Sequence, residues 1–284
     1  MIPIRVIRRR IKSVQSTAKI TKAMEMIAAS KMKQAQNRVL ATRPYADKMR
    51  EVLGDLAAQP QAAEELHPLL QRRDVKRAAI VHVTPDRGLC GGLNANINRK
   101  TMSFVGELNV PVSFITVGKK GRVFMSRYRQ TIAAEFMDLG DRPSLLDTLP
   151  ISRCVIDDYQ NGAVDQVYLA YSQFVTTMNQ QPVLQELLPI EPASLAQTAN
   201  IDYIYEPSPA AVLDQLLPRY VEMQIYHAIL EAIASEQSAR MVAMRNATEN
   251  ASDMIEELTL TLNKARQELI TKELLDIAGG IVQE

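Results

Sequence analysis

The deciding stretch of this sequence is LLPRYVEMQIYHAILEAIASEQSARMVAMRNATENASDMIEELTLTLNKARQEL (residues 216–269). Within it, spacings of four and three residues alternate without a break through sixteen positions, of which only His227, Gln237 and Thr248 are plainly polar. The sixteen positions are Leu216, Tyr220, Met223, His227, Leu230, Ala234, Gln237, Met241, Met244, Thr248, Ala251, Ile255, Leu258, Leu262, Ala265 and Leu269. Seven heptads with one apolar seam predict a supercoiled helix that needs a partner helix.

This helix is predicted to be long, because the chain carries neither glycine nor proline between Pro218 and Gly279. We place it from about Pro209 to Ala278, with Gly279 as its C-terminal cap. A helix of that length spans about 105 Å. A compact domain of this chain cannot enclose it, so part of the helix is expected to project.

The start of the chain predicts a second long helix, from Ile4 to about Ala57, which would span roughly 80 Å. Its apolar positions are Ile4, Ile7, Ile11, Val14, Ala18, Ile20, Met24, Ile27, Met32, Ala35 and Val39. Their spacing is looser than in the C-terminal stretch, and it indicates an apolar face that shifts around Ala18 to Ile20. Helix propensity alone does not hold such a length in water, so this helix also needs a packing partner.

Charge and connectivity favour antiparallel pairing of these two helices. The first 50 residues hold thirteen Lys or Arg against Glu25 and Asp47, a balance of +11, whereas six basic residues face eleven acidic ones from Arg219 onward, a balance of −5. We therefore predict an antiparallel coiled-coil shaft formed by residues 1–58 and 209–284. The basic arm also indicates an acidic partner.

Residues 75–200 are predicted to form an inserted, Rossmann-like α/β domain. Apolar, β-branched runs predict strands at 75–84, 110–117 and 164–175. Ser144, which follows Pro143, is a suitable N-cap for a helix that extends to Gln160. Strands that alternate with helices favour a mostly parallel sheet, and the fold class is therefore α/β.

Two glycine-containing loops could in principle form a nucleotide-binding site. DRGLCGGLN (86–94) and GKKG (118–121) follow strands, but neither has a P-loop ending or the GxGxxG of a dinucleotide fold. We interpret them as turns with close backbone packing, with a nucleotide site as the alternative, and Cys90 as a buried, inert thiol rather than a nucleophile. The sparse cysteines and histidines give no zinc pattern. We predict no catalytic residue, no cofactor and no metal site.

Nucleic acid and secretion are both disfavoured. The basic arm contains a single aromatic residue, Tyr45, and the chain's overall charge is only +1, so a nucleic-acid partner is not favoured. No apolar h-region follows the first basic residues, and the chain is expected to stay in the compartment where it is made.

Several long motifs at both ends and in the middle resemble the γ subunit family of rotary ATP synthases. They are KITKAMEMIAASKM (19–32), RPYA (43–46), DRGLCGGLN (86–94), YIYEPSP (203–209), SEQSARMVAMRNATENA (235–251) and NKARQELITKEL (263–274). The resemblance covers essentially the whole chain. It implies a paired-helix stalk standing inside a ring of α and β subunits, the α3β3 ring.

The resemblance also implies contact residues along the stalk. Met24 and Arg240 match residues near the acidic lever loop of a β subunit. Arg266, Gln267 and Thr271 match polar residues that touch a β-subunit catch loop.

A further contact is implied at the foot of the stalk. Tyr203 and Glu206 match residues that meet the ring of c subunits, where the ε subunit also docks, and Lys31 is assigned to the same region. The implied function is that of a non-catalytic rotor coupling proton flow to ATP synthesis or hydrolysis. Its implied place is the cytoplasmic face of the bacterial plasma membrane, with membrane contact only through the c ring.

Two other functions stay open at this point. A free-standing coiled-coil scaffold would associate with itself and not with a nucleotide-binding hexamer. An α/β nucleotide enzyme would bind ATP or a dinucleotide in isolation.

Overall fold

The computed structural model describes residues 3–57, 67–191 and 205–281, so Tyr203 and the predicted boundaries at 58 and 200 lie outside the described residues. The helices are α1 (Ile4–Ala57), α2 (Leu93–Leu108), α3 (Lys119–Arg127), α4 (Leu145–Gln160) and α5 (Pro209–Ile281), with a short 3-10 turn at Pro68–Leu70. The strands are β1 (Ala78–Val83), β2 (Val112–Val117), β3 (Thr131–Phe136), β4 (Gln166–Phe174) and β5 (Gln180–Leu188).

The two predicted long helices are present as α1 and α5. The bounds of α1 are those expected from the sequence, and α5 begins at Pro209 as expected. The predicted cap at Gly279 is wrong, because α5 continues through Gly279 and Gly280 to Ile281. A glycine permits the left-handed conformation that ends a helix but does not impose it.

The strands form one five-stranded sheet in the order β3-β2-β1-β4-β5. β1 lies at its centre, parallel to β2 and β4, while β3 is parallel to β2 and β5 runs antiparallel to β4. The predicted strands correspond to β1, β2 and β4, and the prediction of a mostly parallel sheet is confirmed. The two strands that the sequence did not indicate, β3 and β5, are the edge strands. Edge strands face solvent more and have a weaker apolar pattern.

Local sequence signals explain two of the helix starts. At α4, Ser144 and Asp147 form a capping box, in which the Asp147 carboxylate accepts from the Ser144 N–H at 2.7 Å. At α3, Gly118 has φ 93°, and a Cβ there would lie 1.9 Å from the carbonyl oxygen of Thr84. The interpretation of GKKG as a turn with close backbone packing is therefore confirmed.

The chain divides into two compact units. The first consists of Met1–Ala28 with Arg240–Glu284, and the second is Ala29–Ala239. These units divide α1 and α5 part-way along their lengths, whereas the sequence places its boundaries between elements, at 1–58, 75–200 and 209–284. The boundaries drawn from the sequence stay predictions.

The core of the second unit combines the sheet with segments of both long helices. Leu53 and Leu56 of α1, Val81 and Leu169 of the sheet, and Leu217 of α5 are all buried in one apolar cluster. Burial of such a side chain stabilises the fold by about 1.5–3 kcal/mol. These helix segments are therefore held by the core of the α/β unit.

Candidate functional site

In the first unit, α1 and α5 run antiparallel and are joined by two polar contacts. The hydroxyl oxygens of Thr21 and Thr248 lie 2.7 Å apart, and Arg245 Nε lies 3.8 Å from Glu25 Oε1. Residue numbers that rise along α1 therefore face residue numbers that fall along α5. The register set by Thr21 facing Thr248 places Ile4 opposite Ala265, Ile7 opposite Leu262, Ile11 opposite Leu258, Val14 opposite Ile255, Ala18 opposite Ala251 and Ala28 opposite Met241. All twelve of these side chains are buried or half-buried, as expected of a coiled-coil seam.

The seam of α1 does not shift at Ala18, and the prediction that it does is wrong. Thr21 and Ala28 are buried and Glu25 is half-buried, whereas Ile20 and Ile27 are 60% and 56% exposed. The apolar Ile20 and Ile27 suggested the wrong face of α1, because the seam at this point contains polar side chains that have partners on α5. Alternating three- and four-residue spacing therefore runs unbroken along α1.

We call Thr21, Glu25, Arg245 and Thr248 the polar layer. One threonine hydroxyl donates across the seam, and the other can donate to its own helix, at Ala18 O or Met244 O. The Glu25 carboxylate also accepts from Lys22 Nζ at 3.0 Å. A slip by one helical turn would separate the buried Thr21 from Thr248 and the half-buried Glu25 from Arg245, so the polar layer favours a single register.

Two of the predicted contact residues lie near the polar layer. Met24 is half-buried beside Glu25, and Arg240 is buried at the start of this unit's part of α5. The register places Met241 opposite Ala28, one helical turn from Met24. The structure therefore brings Met24 and Arg240 into the same part of the helix pair.

The other three predicted residues of this unit lie far along α5. Arg266, Gln267 and Thr271 are exposed, and the Thr271 hydroxyl donates to Gln267 O at 2.9 Å. They are about 40 Å from Arg240 along the helix axis. They follow Ala265, the position opposite the start of α1, so this end of α5 extends beyond its partner in the described pair.

Lys31 belongs to a three-way contact in the second unit, which we call the Asp141 clamp. Lys31 Nζ lies 2.6 Å from Asp141 Oδ2, and Gln237 Nε2 donates to Asp141 Oδ1 at 3.1 Å. Asp141 stands in the loop between β3 and α4, so the clamp joins α1, α5 and the α/β layer. The neighbouring Arg142 also donates to Gln34 of α1. No pattern in the sequence indicated that Asp141 would be the partner of Lys31.

Glu206 is not brought together with Lys31. It is exposed three residues before α5 begins, whereas Lys31 is held near Gln237 through the clamp. The run of α5 from Pro209 to Gln237 corresponds to about 40 Å. Tyr203, which was assigned to the same foot, lies outside the described residues.

The carboxyl edge of the sheet, where doubly wound folds commonly bind ligands, is occupied by protein groups. The N–H of Lys119, at the start of α3, donates to Asp86 Oδ1 at 2.9 Å. Ile229 and Ile233 of α5 line the same edge, and the cavity left there has a volume of only about 50 Å³. Small-molecule sites usually measure several hundred Å³. This arrangement argues against the nucleotide-enzyme alternative.

His82 and Cys90 are both buried, and His82 does not have the properties of a general base. His82 Nε2 lies 2.8 Å from Asn98 Oδ1, and Nδ1 lies 3.3 Å from the Thr101 hydroxyl. Burial lowers the pKa of His82 to about 4, so its ring is neutral at physiological pH. Cys90 Sγ accepts from Asn94 Nδ2 at 3.3 Å. The interpretation of Cys90 as a buried thiol is confirmed.

Within residues 3–57, 67–191 and 205–281, no cluster of three His, Cys, Asp or Glu side chains is arranged to hold a metal ion. Within the same ranges, no helix combines the length and apolar character needed to span a membrane.

Comparisons with known proteins identify the family. The family model described as ATP synthase matches residues 3–282. An ATP synthase gamma chain of Dehalococcoides mccartyi is 64% identical over 280 residues, covering 99% of this chain and 98% of that one. A gamma chain of Herpetosiphon aurantiacus is 50% identical over 289 residues, with the same coverage of 99% and 98%.

Solved structures with the same fold come from mitochondrial ATP synthases. A central-stalk chain of the Tetrahymena thermophila mitochondrial ATP synthase is 28% identical with a TM-score of 0.63, covering 80% of this chain and 99% of that chain. A chain from the Euglena gracilis mitochondrial ATP synthase in rotational state 3 has a TM-score of 0.67 at 21% identity, covering 98% and 93%, and shows the shared fold. The chain belongs to the ATP synthase gamma-chain family.

Proposed function

We propose that this gamma chain is the central stalk of a proton-translocating ATP synthase and rotates inside the α3β3 ring. Its role is mechanical and non-catalytic, because the nucleotide sites belong to partner subunits. The observation that carries the proposal is the antiparallel seam of α1 and α5, fixed by the Thr21–Thr248 and Glu25–Arg245 contacts. A helix pair in one register can transmit torque, whereas a pair that slips cannot.

The mechanism is conformational coupling by differential contact. A helix pair that lies off the axis of the ring presents a different face to each β subunit as it turns. Each face favours a different conformation of the β subunit, so rotation changes nucleotide affinity in sequence. Proton flow drives rotation toward ATP synthesis, and ATP hydrolysis drives it in reverse.

The partner contacts that we propose along the stalk are those that the resemblance to the family implies. Met24 and Arg240 face the acidic lever loop of a β subunit, and the exposed Arg266, Gln267 and Thr271 face a catch loop. The basic exposed surface of α1 complements acidic loops over short range, because salt screens charges beyond about 10 Å.

At the foot, Tyr203 and Glu206 meet the c ring and the ε subunit. We propose that Lys31 belongs to the same foot. Its ion pair with Asp141 also gives it a structural role. The membrane contact is made only through the c ring, and we place the complex on the cytoplasmic face of the bacterial plasma membrane.

The experiment is an affinity purification of the tagged chain followed by mass spectrometry. Recovery of α, β and ε subunits supports the stalk, self-association alone supports a free-standing scaffold, and recovery of no partner rejects both. Rotation of a bead attached to the chain in the purified complex, driven by ATP, then tests the mechanism directly. A complex that hydrolyses ATP without turning the bead would contradict it.

A further inference from the structure

A short segment of α5 in the second unit is hydrogen-bonded to the end of strand β4. The Glu231 carboxylate accepts from the N–H of Phe174 at 2.9 Å. The Ser235 hydroxyl donates to the carbonyl oxygen of Ser172 at 2.8 Å. Both α5 side chains are buried, and both of their partners are backbone groups of a strand. The helix therefore supplies hydrogen bonds that a neighbouring strand would normally supply.

The hydrogen-bond ladder of the sheet explains why these backbone groups need partners from α5. The N–H of Val175 donates to Asn179 O across the β4–β5 hairpin, and such bonds recur at every second residue of an antiparallel pair. Ser172 and Phe174 occupy the alternate positions, so their backbone groups point away from β5 and toward the side of β1. The pairing of β4 with β1 ends at Ala170, so β1 does not reach them.

A third side chain of α5 extends these contacts to the turn between β4 and β5. The Ser238 hydroxyl donates to Thr177 O at 2.8 Å and accepts from Gln180 Nε2 at 3.3 Å. Ser238 is also buried. Spacings of four and three residues place Glu231, Ser235 and Ser238 on one face of α5. We call these three residues the hairpin contact.

A different face of the same segment is held by the loop between β3 and α4. Gln237 donates to Asp141 in the Asp141 clamp, and the Tyr226 hydroxyl donates to Pro143 O at 3.4 Å. Tyr226 and Gln237 share a face, because their separation is close to three full helical turns. At about 100° per residue, that face lies roughly 140° from the hairpin contact. The segment is therefore held from two widely separated sides.

These hydrogen bonds resist rolling of α5 about its own axis. The buried side chains of Ile229 and Ile233 stabilise the segment by apolar contact, which is not directional and resists rotation less sharply. A roll of about 30° moves an atom at about 5 Å from the axis by roughly 2.5 Å, which is enough to break a hydrogen bond. It would also leave buried backbone groups of β4 without partners.

We propose that the hairpin contact and the Asp141 clamp together couple the α/β layer to α5 for the transmission of torque. In a rotor, torque that acts on the layer must reach the long helices, and α5 continues beyond this segment to Ile281. The two sets of contacts oppose rolling in either direction, so the layer and the helix turn together. Glu231, Ser235 and Ser238 are thus positioning residues for rotation. This inference rests on the proposed function.

The test measures the torsional stiffness of the rotor in the purified complex. The α3β3 ring is fixed to a surface, and a bead is attached through Lys100→Cys, at an exposed position of α2. The angular fluctuation of the bead in the absence of ATP gives the stiffness. Ser235→Ala with Ser238→Ala removes three of the six hydrogen bonds described above, so the stiffness should fall about two-fold.

Ser152→Ala is the matched control. Ser152 is also a fully buried serine, but its hydroxyl donates within its own helix, to Thr148 O at 3.4 Å. This variant should leave the stiffness unchanged. Unchanged stiffness in the double variant, or an equal fall in Ser152→Ala, would refute the proposal. If the double variant does not assemble, the two single variants decide, and the proposal is wrong if neither lowers the stiffness.

Hydrogen exchange in the isolated full chain separates this inference from the proposed function. The N–H of Phe174 should exchange several-fold faster in the double variant, because α5 can then roll and carry the Glu231 acceptor away. Unchanged exchange would show that the hairpin contact does not fix α5, and it would overturn the inference whether or not the chain assembles. A wild-type chain that does not join α and β subunits would overturn the proposed function and, with it, the role in torque.

Discussion

Replacement of Asp141 by alanine should destabilise the second unit, because one carboxylate satisfies two helices. The variant removes the ion pair with Lys31, whose side chain is 35% exposed against 42% for Asp141. Solvent screening limits that pair to about 0.5 kcal/mol. It also leaves the amide of Gln237, only 2% exposed, without its acceptor, at a cost of about 1–3 kcal/mol. We expect a total loss of about 2 kcal/mol in the free energy of unfolding.

Asp141→Asn is the matched control. Its side-chain oxygen can still accept the Gln237 N–H, whereas the charge that pairs with Lys31 is gone, so it should lose only about 0.5 kcal/mol. The double variant Asp141→Ala with Gln237→Leu removes both partners of the buried hydrogen bond. It should therefore lose less than the sum of the two single variants.

Urea unfolding of the full chain, followed by circular dichroism, measures these differences. Hydrogen exchange of the α5 amides around Gln237 should become faster in Asp141→Ala and remain close to wild type in Asp141→Asn. Equal losses in the alanine and asparagine variants would refute the reasoning, because they would show that the Gln237 hydrogen bond contributes nothing. A loss below about 0.5 kcal/mol in Asp141→Ala would do the same.

Four further outcomes are expected. Met24→Lys should lower the number of protons pumped per ATP hydrolysed in membrane vesicles more than it lowers assembly; an unchanged ratio would contradict the assigned contact. Thr21→Val alone should cost about 1 kcal/mol, since it removes one partner of a seam hydrogen bond, while Thr21→Val with Thr248→Val should be close to neutral in urea unfolding. The low pKa of His82 means that folding favours the neutral ring. Its contribution to the free energy of unfolding is therefore complete above pH 6.5 and is lost as the pH falls toward 4. The free energy of unfolding should drop by about 2 kcal/mol between pH 7.5 and 5, and the His82→Gln variant should lack this dependence on pH. The purified chain alone should show no ATPase activity, and turnover above a buffer blank in a sample free of α and β subunits would count against a non-catalytic role.

Local patterns in the sequence predicted much of the architecture. The alternation of three and four residues in α5 indicated a seam, and glycine and proline placement indicated where α1 and α5 begin. The apolar run around β1 and the Ser144 cap of α4 were also readable, because burial of one face and satisfaction of a helix end are local requirements. The antiparallel pairing followed from two long helices flanking one inserted domain.

The remaining features depended on contacts between residues that are distant in the sequence. Apolar spacing could not show that Thr21 and Glu25 continue the seam, because polar side chains become acceptable there only when Thr248 and Arg245 lie opposite them. Lys31 is 110 residues from its partner Asp141. Edge strands β3 and β5 have weak local patterns and are specified by the strands beside them.

The sequence by itself determined which face of α5 had to be buried, since the period of a helix fixes which residues share a face. Only the tertiary structure decided how the polar groups are paired and what covers the carboxyl edge of the sheet, where α5 lies with Ile229 and Ile233. The physical reason is that a hydrogen bond or ion pair requires two groups at a set distance. That distance depends on how the whole chain is folded, so it cannot be predicted from either residue alone.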